Sequence, residues 1–348
     1  MRRRTAGGLA GARRRLPRLA AAACLGLCAA WAAVAGPDLA RAGAADAGTV
    51  DAGIADAGAA DAGVADAGAA YAGAAAVPVA AAAPLATGPV RHGTPPRIVT
   101  LAPNATELVY AAGAGADIVG TVLRSDYPPE ARAIPRIGDG IQFSEETILT
   151  LRPTLVVGWL PSDGTRSLER RLAPLGVPLV YANPKSLDDI PALVRDLGDR
   201  LGTRAAADAA ARGLERRIRA LRPAPPPPQT VFIEISADPL YTLGRDPLTN
   251  DLLARCGGVN PYATHAIAAP QVSVESVLHL NPQVLIVSPY GRETLAARRA
   301  WWAQHGLPAA LADRIYAVDP DQLHRPGPRL VDAAEAICAD LRDSRTRP

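Results

Sequence analysis

Residues 144–158 read SEETILTLRPTLVVG, and a similar pattern returns 129 positions later, where residues 273–287 read SVESVLHLNPQVLIV. Each copy begins with a serine, has a glutamate two residues later, and runs through leucines and a proline into an apolar stretch. A serine can cap a helix, a proline ends one, and a short apolar run is typical of a buried strand. The repeat therefore predicts two similar lobes, each containing a helix followed by a strand.

Glu146 and Glu275 occupy equivalent positions in the two copies. An acidic residue in the first turn of a helix complements the helix dipole, which explains one such glutamate well. It explains the matched pair less well, because the neighbouring position differs, being Glu145 in one copy and Val274 in the other. The two glutamates are therefore candidates for a functional role as well as a capping role.

Strands alternate with helices on both sides of a long helical segment. In the first lobe, residues 95–183, we predict strands at 97–103, 118–123, 154–159 and 177–182, with helices at 105–112, 144–152 and 166–175, the first capped by Asn104. In the second, residues 225–348, we predict strands at 230–236, 284–288 and 314–318, with helices at 248–255, 273–280, 295–304 and 329–342. This alternation indicates an α/β fold with parallel sheets.

Residues 184–224 contain no predicted strand, and their apolar residues recur at helical spacing. The length predicts one long helix that joins the lobes, with Gly202 as the position where it could bend. Prolines at 225–228 end it. Ligands of open α/β sheets bind beyond the carboxyl ends of the strands, so a bilobal chain should bind its ligand in a shared cleft.

Residues 1–35 have the features of a secretory signal peptide: seven arginines, an uncharged stretch at 19–35 and a terminal Ala-Val-Ala. The uncharged stretch is shorter than the about 20 strongly apolar residues of a spanning helix. We therefore expect export to the periplasm. Leu27 is too bulky for lipoprotein processing at Cys28, although tethering to the membrane stays open.

Residues 36–94 are rich in alanine, glycine and aspartate and repeat a five-residue unit between 46 and 75. Such a composition has little to bury, so we predict a disordered spacer, either a tether or low-complexity drift. Seven of the 37 basic residues and none of the 34 acidic residues lie in 1–35, so the exported chain has a net charge of −4. That balance gives no electrostatic support for nucleic-acid binding.

Cys256 and Cys338 are the cysteines that remain after export, and an even pair in an oxidising compartment indicates a disulfide. Neither has a second cysteine or a histidine at zinc-ligand spacing. A site built from His265, His324 and Asp321 would have suitable metal ligands, but nothing in their spacing favours it. We therefore expect surface histidines and no metal site.

Enzyme motifs are absent from the sequence: it has no Gly-x-Ser-x-Gly elbow, no Gly-x-x-x-x-Gly-Lys phosphate loop and no His-Glu-x-x-His pair. We therefore expect a protein that is not an enzyme and has no catalytic residues.

Trp159 ends a predicted strand, where it could fill the core or form a flat platform for a large ring. Asp321 and Arg325, four apart in a proline-rich loop, are either a weak surface ion pair or polar ligand contacts. Their positions favour the ligand-contact interpretation in both cases.

Taken together, these features resemble the periplasmic binding proteins of ABC importers for cobalamin, haem and ferric siderophores, above all the cobalamin-binding members. The resemblance runs from about residue 97 to residue 338. It is carried by PNATEL at 103–108, SDYPP at 125–129, the two glutamate-bearing segments, CGG at 256–258, PQVS at 270–273, RPGPR at 325–329 and Cys338. It implies two Rossmann-like lobes joined by a single long helix.

The resemblance also implies roles for individual residues. Glu146 and Glu275 would dock onto arginines of the membrane permease, and Cys256 and Cys338 would form a family disulfide. Ligand contacts would come from the following residues: Ser125, Asp126, Tyr127, Trp159, Tyr241, Asp321 and Arg325. Three expected aromatic positions are replaced here by Arg124, Gly140 and Ala269, which predicts a wider and less aromatic cleft.

The sequence therefore predicts a monomeric, exported solute-binding protein with no resident cofactor. Its ligand would be a corrinoid, cobalamin or cobinamide, which it would deliver to the permease subunits of an ABC importer. The first alternative is haem or a ferric siderophore on the same fold. An enzyme on this fold is the second alternative, and the absence of catalytic motifs argues against it.

Overall fold

The computed structural model describes residues 95–289 and 294–347, all of which lie in one compact unit, Ala74–Pro348. The predicted signal peptide at 1–35 and the predicted spacer at 36–94 lie outside the described residues. In the described part of the chain, no helix combines the length and apolarity needed to cross a bilayer.

The first lobe contains a parallel sheet of four strands. These are β1 (Ile98–Thr100), β2 (Ile118–Gly120), β3 (Leu155–Gly158) and β4 (Leu179–Tyr181), in the order β2-β1-β3-β4. Its helices are α1 (Pro103–Ala111), α2 (Glu145–Thr150) and α3 (Asp163–Leu172). Successive strand residues face opposite sides, so Val156 packs with Leu168 of α3 while Val157 packs with Leu108 of α1. Both faces are covered, which explains why the strands are largely apolar.

Both copies of the repeat form the predicted helix, break and strand. The Ser144 hydroxyl accepts the Thr147 N–H at 3.1 Å, and the Ser273 hydroxyl accepts the Ser276 N–H at the same distance. Each helix is followed by a left-handed residue directly before the proline, at Arg152 (φ 48°) and at its equivalent Asn281 (φ 44°). The repeat therefore extends to the backbone conformation that turns each helix into its strand.

The segment at 184–224 is two helices, α4 (Asp189–Leu201) and α5 (Arg204–Ala220), so the prediction of one continuous helix is wrong. Gly202 has a φ of 72°, a left-handed conformation that ends α4. A Cβ atom on Gly198 would lie 2.2 Å from that of Ala207, so the two helices pack closely. The helix α5 packs against both α1 of the first lobe and the C-terminal helix of the second, so it joins the lobes.

The second lobe has a mixed sheet of five strands: β5 (Gln229–Ala237), β6 (Leu240–Thr242), β7 (Gly258–Val259), β8 (Val284–Val287) and β9 (Ile315–Ala317). The order is β6-β5-β8-β9, and β7 pairs with the start of β5. All pairings are parallel except β5 with β6, which form a hairpin that the sequence did not predict. Its helices are α6 (Pro247–Cys256), α7 (Val274–Leu280), α8 (Leu295–Gln304), α9 (Pro308–Leu311), α10 (Pro320–Leu323) and α11 (Leu330–Ser344).

The predicted disulfide is confirmed and lies in the second lobe. Cys256 at the end of α6 is bonded to Cys338 of α11, with their Cα atoms 4.5 Å apart. Both cysteines are buried in a hydrophobic cluster that continues through α5 into the first lobe. The bond therefore fixes α11, the helix that follows the proline-rich loop at 325–329.

Candidate functional site

A cavity of about 400 Å³ lies between the two lobes. Trp159 and Leu160, directly after β3, and residues 183–185, after β4, line it from the first lobe. Its walls in the second lobe include apolar residues such as Leu243 and Leu248, together with His324. The cavity thus opens where strands of the first sheet end, as expected for an α/β fold.

Trp159 is the aromatic residue of this cavity, the only Phe, Tyr or Trp among the described residues that line it. It is 41% exposed, so its ring is available to a ligand rather than packed into the core. Ala269 also lines the cavity. An alanine there agrees with the prediction of a less aromatic cleft.

A buried network of charges joins the lobes beside the cavity. The Arg325 guanidinium lies 2.8 Å from Asp126, 2.8 Å from Asp321 and 3.4 Å from Glu107. Glu107 also accepts hydrogen bonds from Arg329 at 2.7 and 3.0 Å. Two arginines of the second lobe therefore share three carboxylates, two of which come from the first lobe.

Of the two interpretations of Asp321 and Arg325, this network excludes an isolated surface ion pair, while their contact with a ligand stays a prediction. The Arg325 side chain is 9% exposed, and its charge is balanced by carboxylates. Asp321 and Asp126 remain more accessible, at 34% and 42%. The side of the cleft that they border therefore offers carboxylate oxygens to a ligand rather than an unpaired cation.

Glu107 is a residue that the sequence interpretation missed. It is the only charged residue of α1, and only 2% of its side chain is exposed. Burial raises the pKa of the Glu107 carboxyl, while Arg329 and Arg325 act in the opposite direction. Its signal in the sequence is a lone acid on an apolar helix, three residues after Asn104.

Asn104 does not cap α1, contrary to prediction, because the helix begins two residues earlier than predicted, with Ala102 as its N-cap. The Asn104 side chain instead donates a hydrogen bond to the Ala182 carbonyl at 3.3 Å. A Cβ atom on Gly327 would lie 3.7 Å from the Asn104 carbonyl oxygen, so the two lobes also approach each other here.

Ser125 and Tyr127 differ in their access to the cleft. Ser125 is 1% exposed, and its hydroxyl accepts a hydrogen bond from Thr106 at 3.2 Å. Ser125 is therefore a buried structural residue, and its position does not favour the predicted contact with a ligand. Tyr127 is 44% exposed, and the Arg329 guanidinium lies 4.3 Å from the centre of its ring.

Tyr241 lies in β6 opposite Ser236 and is half-buried. It does not belong to the described residues that line the cavity. The hairpin of β5 and β6 carries it beside the cleft rather than into the wall. Its predicted contact with a ligand therefore lacks the support that Trp159 has.

His324 is a half-buried residue of the cavity wall, so its assignment to the surface is wrong. Its Nε2 shares a hydrogen bond with the Ser288 hydroxyl at 2.7 Å. Burial lowers the pKa of His324 to about 4, although the Asp246 and Asp321 carboxylates act in the opposite direction.

His265 is exposed, and its Nδ1 accepts the Ile267 N–H. No group of three or more metal-ligating side chains occurs within residues 95–289 and 294–347.

Glu146 and Glu275 are both exposed in the first turns of α2 and α7. The backbone N–H of Glu275 and the Ser273 hydroxyl lower the pKa of the Glu275 carboxyl. Next to Glu146, Glu145 is instead bound by Arg171 of α3 at 2.9 Å. In each copy the matched glutamate is therefore the acid that projects into solvent.

Comparison with known proteins gives consistent results from sequence and from structure. A family described as "Periplasmic binding protein" matches residues 98–322. A vitamin B12-binding protein of Pectobacterium atrosepticum is 33% identical over 264 residues, which are 74% of this chain and 92% of the relative. A vitamin B12-binding protein of Vibrio cholerae is 35% identical and covers 71% of this chain and 89% of its own length.

Two solved structures extend the likeness. The periplasmic vitamin B12 binding protein BtuF of Vibrio cholerae has a TM-score of 0.63 at 33% identity and covers 72% of this chain and 97% of its own. The periplasmic heme-binding protein RhuT from Roseiflexus sp. RS-1 has a TM-score of 0.61 at 29% identity and covers 72% and 99%. The predicted bilobal α/β fold is confirmed by both.

Proposed function

This chain belongs to the periplasmic binding protein family, and we propose that it captures a corrinoid, cobalamin or cobinamide, and delivers it to an ABC importer. The observation that carries the proposal is the cavity between the lobes, with the exposed ring of Trp159 in one wall. An apolar wall that includes Leu243 and Leu248 lies in the other lobe. A large flat ligand with an apolar face suits this pair of surfaces.

The charges beside the cavity support a corrinoid. Arg325 and Arg329 are paired with carboxylates, so neither is a free cation for an acidic ligand. The partly exposed oxygens of Asp126 and Asp321 can accept hydrogen bonds from amide N–H groups. A corrin ring carries amide side chains around its edge, and these amides suit the end of the cleft that Asp126 and Asp321 border.

Haem or a ferric siderophore is the second candidate ligand. The similarity to RhuT, which is described as heme-binding, favours it, since that structure matches nearly as well as BtuF. The visible spectrum of protein purified from its native host discriminates between the candidates. A haem absorption band in place of a corrinoid band would make haem the leading candidate ligand.

The protein would act in the periplasm and would contact a membrane permease as its partner. Export by the segment at 1–35 would bring the folded lobes to the periplasm, where relatives of the family act. Glu146 and Glu275, one on each lobe, would contact permease subunits in the membrane. The protein acts as a monomeric carrier in this proposal, and no side chain is assigned a catalytic role.

Isothermal titration of the purified protein with cobalamin and cobinamide tests the function. We expect heat of binding with at least one of them, and a roughly tenfold loss of affinity in Trp159→Ala. Trp159→Phe is the matched control, because it keeps a flat ring and should retain most of the affinity. Titrations without heat for both ligands would refute the corrinoid proposal.

A further inference from the structure

Two cationic side chains, Lys185 and Arg245, line the cavity from opposite lobes. Lys185 follows β4 in the first lobe, and Arg245 follows β6 in the second. Both side chains are exposed. The cavity therefore has a positive charge on each side of the boundary between the lobes.

These cations differ from the arginines beside the cavity in having no carboxylate partner in the part of the chain that the structure describes. Arg325 and Arg329 lie 2.7 to 3.4 Å from carboxylate oxygens. Within residues 95–289 and 294–347, no ion pair joins Lys185 or Arg245 to an acidic side chain. The cleft is therefore polarised, with carboxylates at one end and unpaired cations in the cavity.

Asp246 is the carboxylate that lines the cavity beside these cations. One of its oxygens accepts the Leu248 N–H at 3.1 Å, and the other accepts the Thr249 hydroxyl at 3.0 Å. These bonds orient it toward the start of α6, which it caps. Among the described residues that line the cavity, two cations and one anion give a net positive charge, since burial keeps His324 neutral by lowering its pKa to about 4.

We infer that Lys185 and Arg245 form an anion subsite that binds the phosphodiester of a complete cobalamin. Lysine and arginine are the side chains that bind phosphate oxygens through charge-assisted hydrogen bonds, and an apolar wall strengthens such bonds by excluding water. A ligand with many amides and one anionic group matches both ends of the cleft. This inference rests on the proposed function and specifies the ligand, because cobinamide lacks the phosphodiester.

The test compares cobalamin, cobinamide and haem as ligands of the wild type and of the double variant Lys185→Ala/Arg245→Ala. We expect the wild type to bind cobalamin roughly tenfold more tightly than cobinamide, as one or two charge-assisted hydrogen bonds would give. The double variant should bind both corrinoids with the affinity that the wild type has for cobinamide. Raising the salt concentration should reduce the wild-type preference and leave the variant unchanged.

Arg170→Ala/Arg212→Ala is the matched control, because it removes two exposed arginines of α3 and α5 and should keep the preference. Lys185→Arg/Arg245→Lys should keep it as well, since the charges remain. Equal wild-type affinity for the two corrinoids, or a preference that survives in the alanine variant, would overturn the subsite while leaving the proposed function intact. If the alanine variant lost affinity for haem alone, the cations would bind the carboxylates of haem and the phosphodiester subsite would be refuted. If the wild type bound neither corrinoid, the proposed function would be refuted as well.

Discussion

The Arg329 guanidinium donates two hydrogen bonds to the Glu107 carboxylate, from Nη2 to Oε1 at 2.7 Å and from Nε to Oε2 at 3.0 Å. Glu107 belongs to α1 of the first lobe, and Arg329 directly precedes α11 of the second. Their side chains are only 2% and 12% exposed. A charge pair in such a position joins the lobes with little access to bulk water.

Replacement of Glu107 by alanine should reduce the free energy of unfolding by roughly 3 kcal/mol, because it leaves two buried guanidinium groups short of a carboxylate. Urea unfolding followed by circular dichroism measures the loss. Arg217→Ala is the control: Arg217 pairs with Asp332 and Glu335 of α11, but its side chain is 39% exposed. The control should cost less than about 1 kcal/mol. Equal losses in the two variants would show that burial does not strengthen the pair between the lobes.

His324 should make stability depend on pH between about 6.5 and about 4. Its pKa falls from the ordinary 6.5 to about 4 on folding, so the unfolded chain binds more protons in this window. Stability is therefore complete above pH 6.5 and is lost as the pH falls toward 4. Between pH 7.5 and pH 5 the wild type should lose about 2 kcal/mol more than His324→Gln. Denaturant titrations at the two pH values measure this difference, and identical losses would contradict the prediction.

Charge reversal at Glu146 and Glu275 together should abolish delivery to the importer and leave corrinoid affinity within about twofold of the wild type. Both side chains are exposed, and the serine caps of α2 and α7 remain. Uptake of labelled corrinoid by cells measures delivery, and calorimetry measures affinity. Glu169→Lys, an exposed acid of α3, is the control and should transport normally. Intact uptake in the double variant would limit the two glutamates to helix capping.

Removal of the disulfide should reduce the free energy of unfolding by roughly 4–5 kcal/mol, as the closure of a loop of this length predicts. The bond joins residues 82 positions apart. Cys256→Ala/Cys338→Ala is compared with the wild type by urea unfolding under non-reducing conditions. A thiol reductant should lower the stability of the wild type to that of the variant and leave the variant unchanged. If the wild type keeps its stability after its unfolded chain has been exposed to the reductant, the result would contradict the assignment of the disulfide.

Much of the fold could be predicted because local patterns determine the helices and the buried strands. The apolar runs of β3 and β8 are buried on both sides, so their composition alone identifies them. The hairpin of β5 with β6 was not predicted, because a strand of three residues leaves too short a pattern. The sequence indicates a bend at Gly202, but only the packing of Gly198 on Ala207 shows that α5 folds back along α4.

For the candidate site, the sequence pointed to Trp159 because it ends a predicted strand, and ligands of open α/β sheets bind beyond the carboxyl ends of the strands. It did not identify Glu107 or His324. Their partners are distant along the chain, since Arg329 follows Glu107 by 222 positions and Ser288 precedes His324 by 36. No local pattern contains such pairs.

The sequence by itself determined the two-lobed α/β plan, the matched glutamates, the disulfide and the family resemblance. Each follows from a local residue pattern, from a recognisable repeat or, for the disulfide, from an even pair of cysteines in an exported chain. Only the tertiary structure decided how charge is distributed around the cleft. Burial and proximity set that distribution: they pair Arg325 and Arg329 with carboxylates, and leave Lys185 and Arg245 in the cavity wall. The electrostatic effect of a charge depends on its neighbours in space and on its access to water, and neither is contained in the order of the residues.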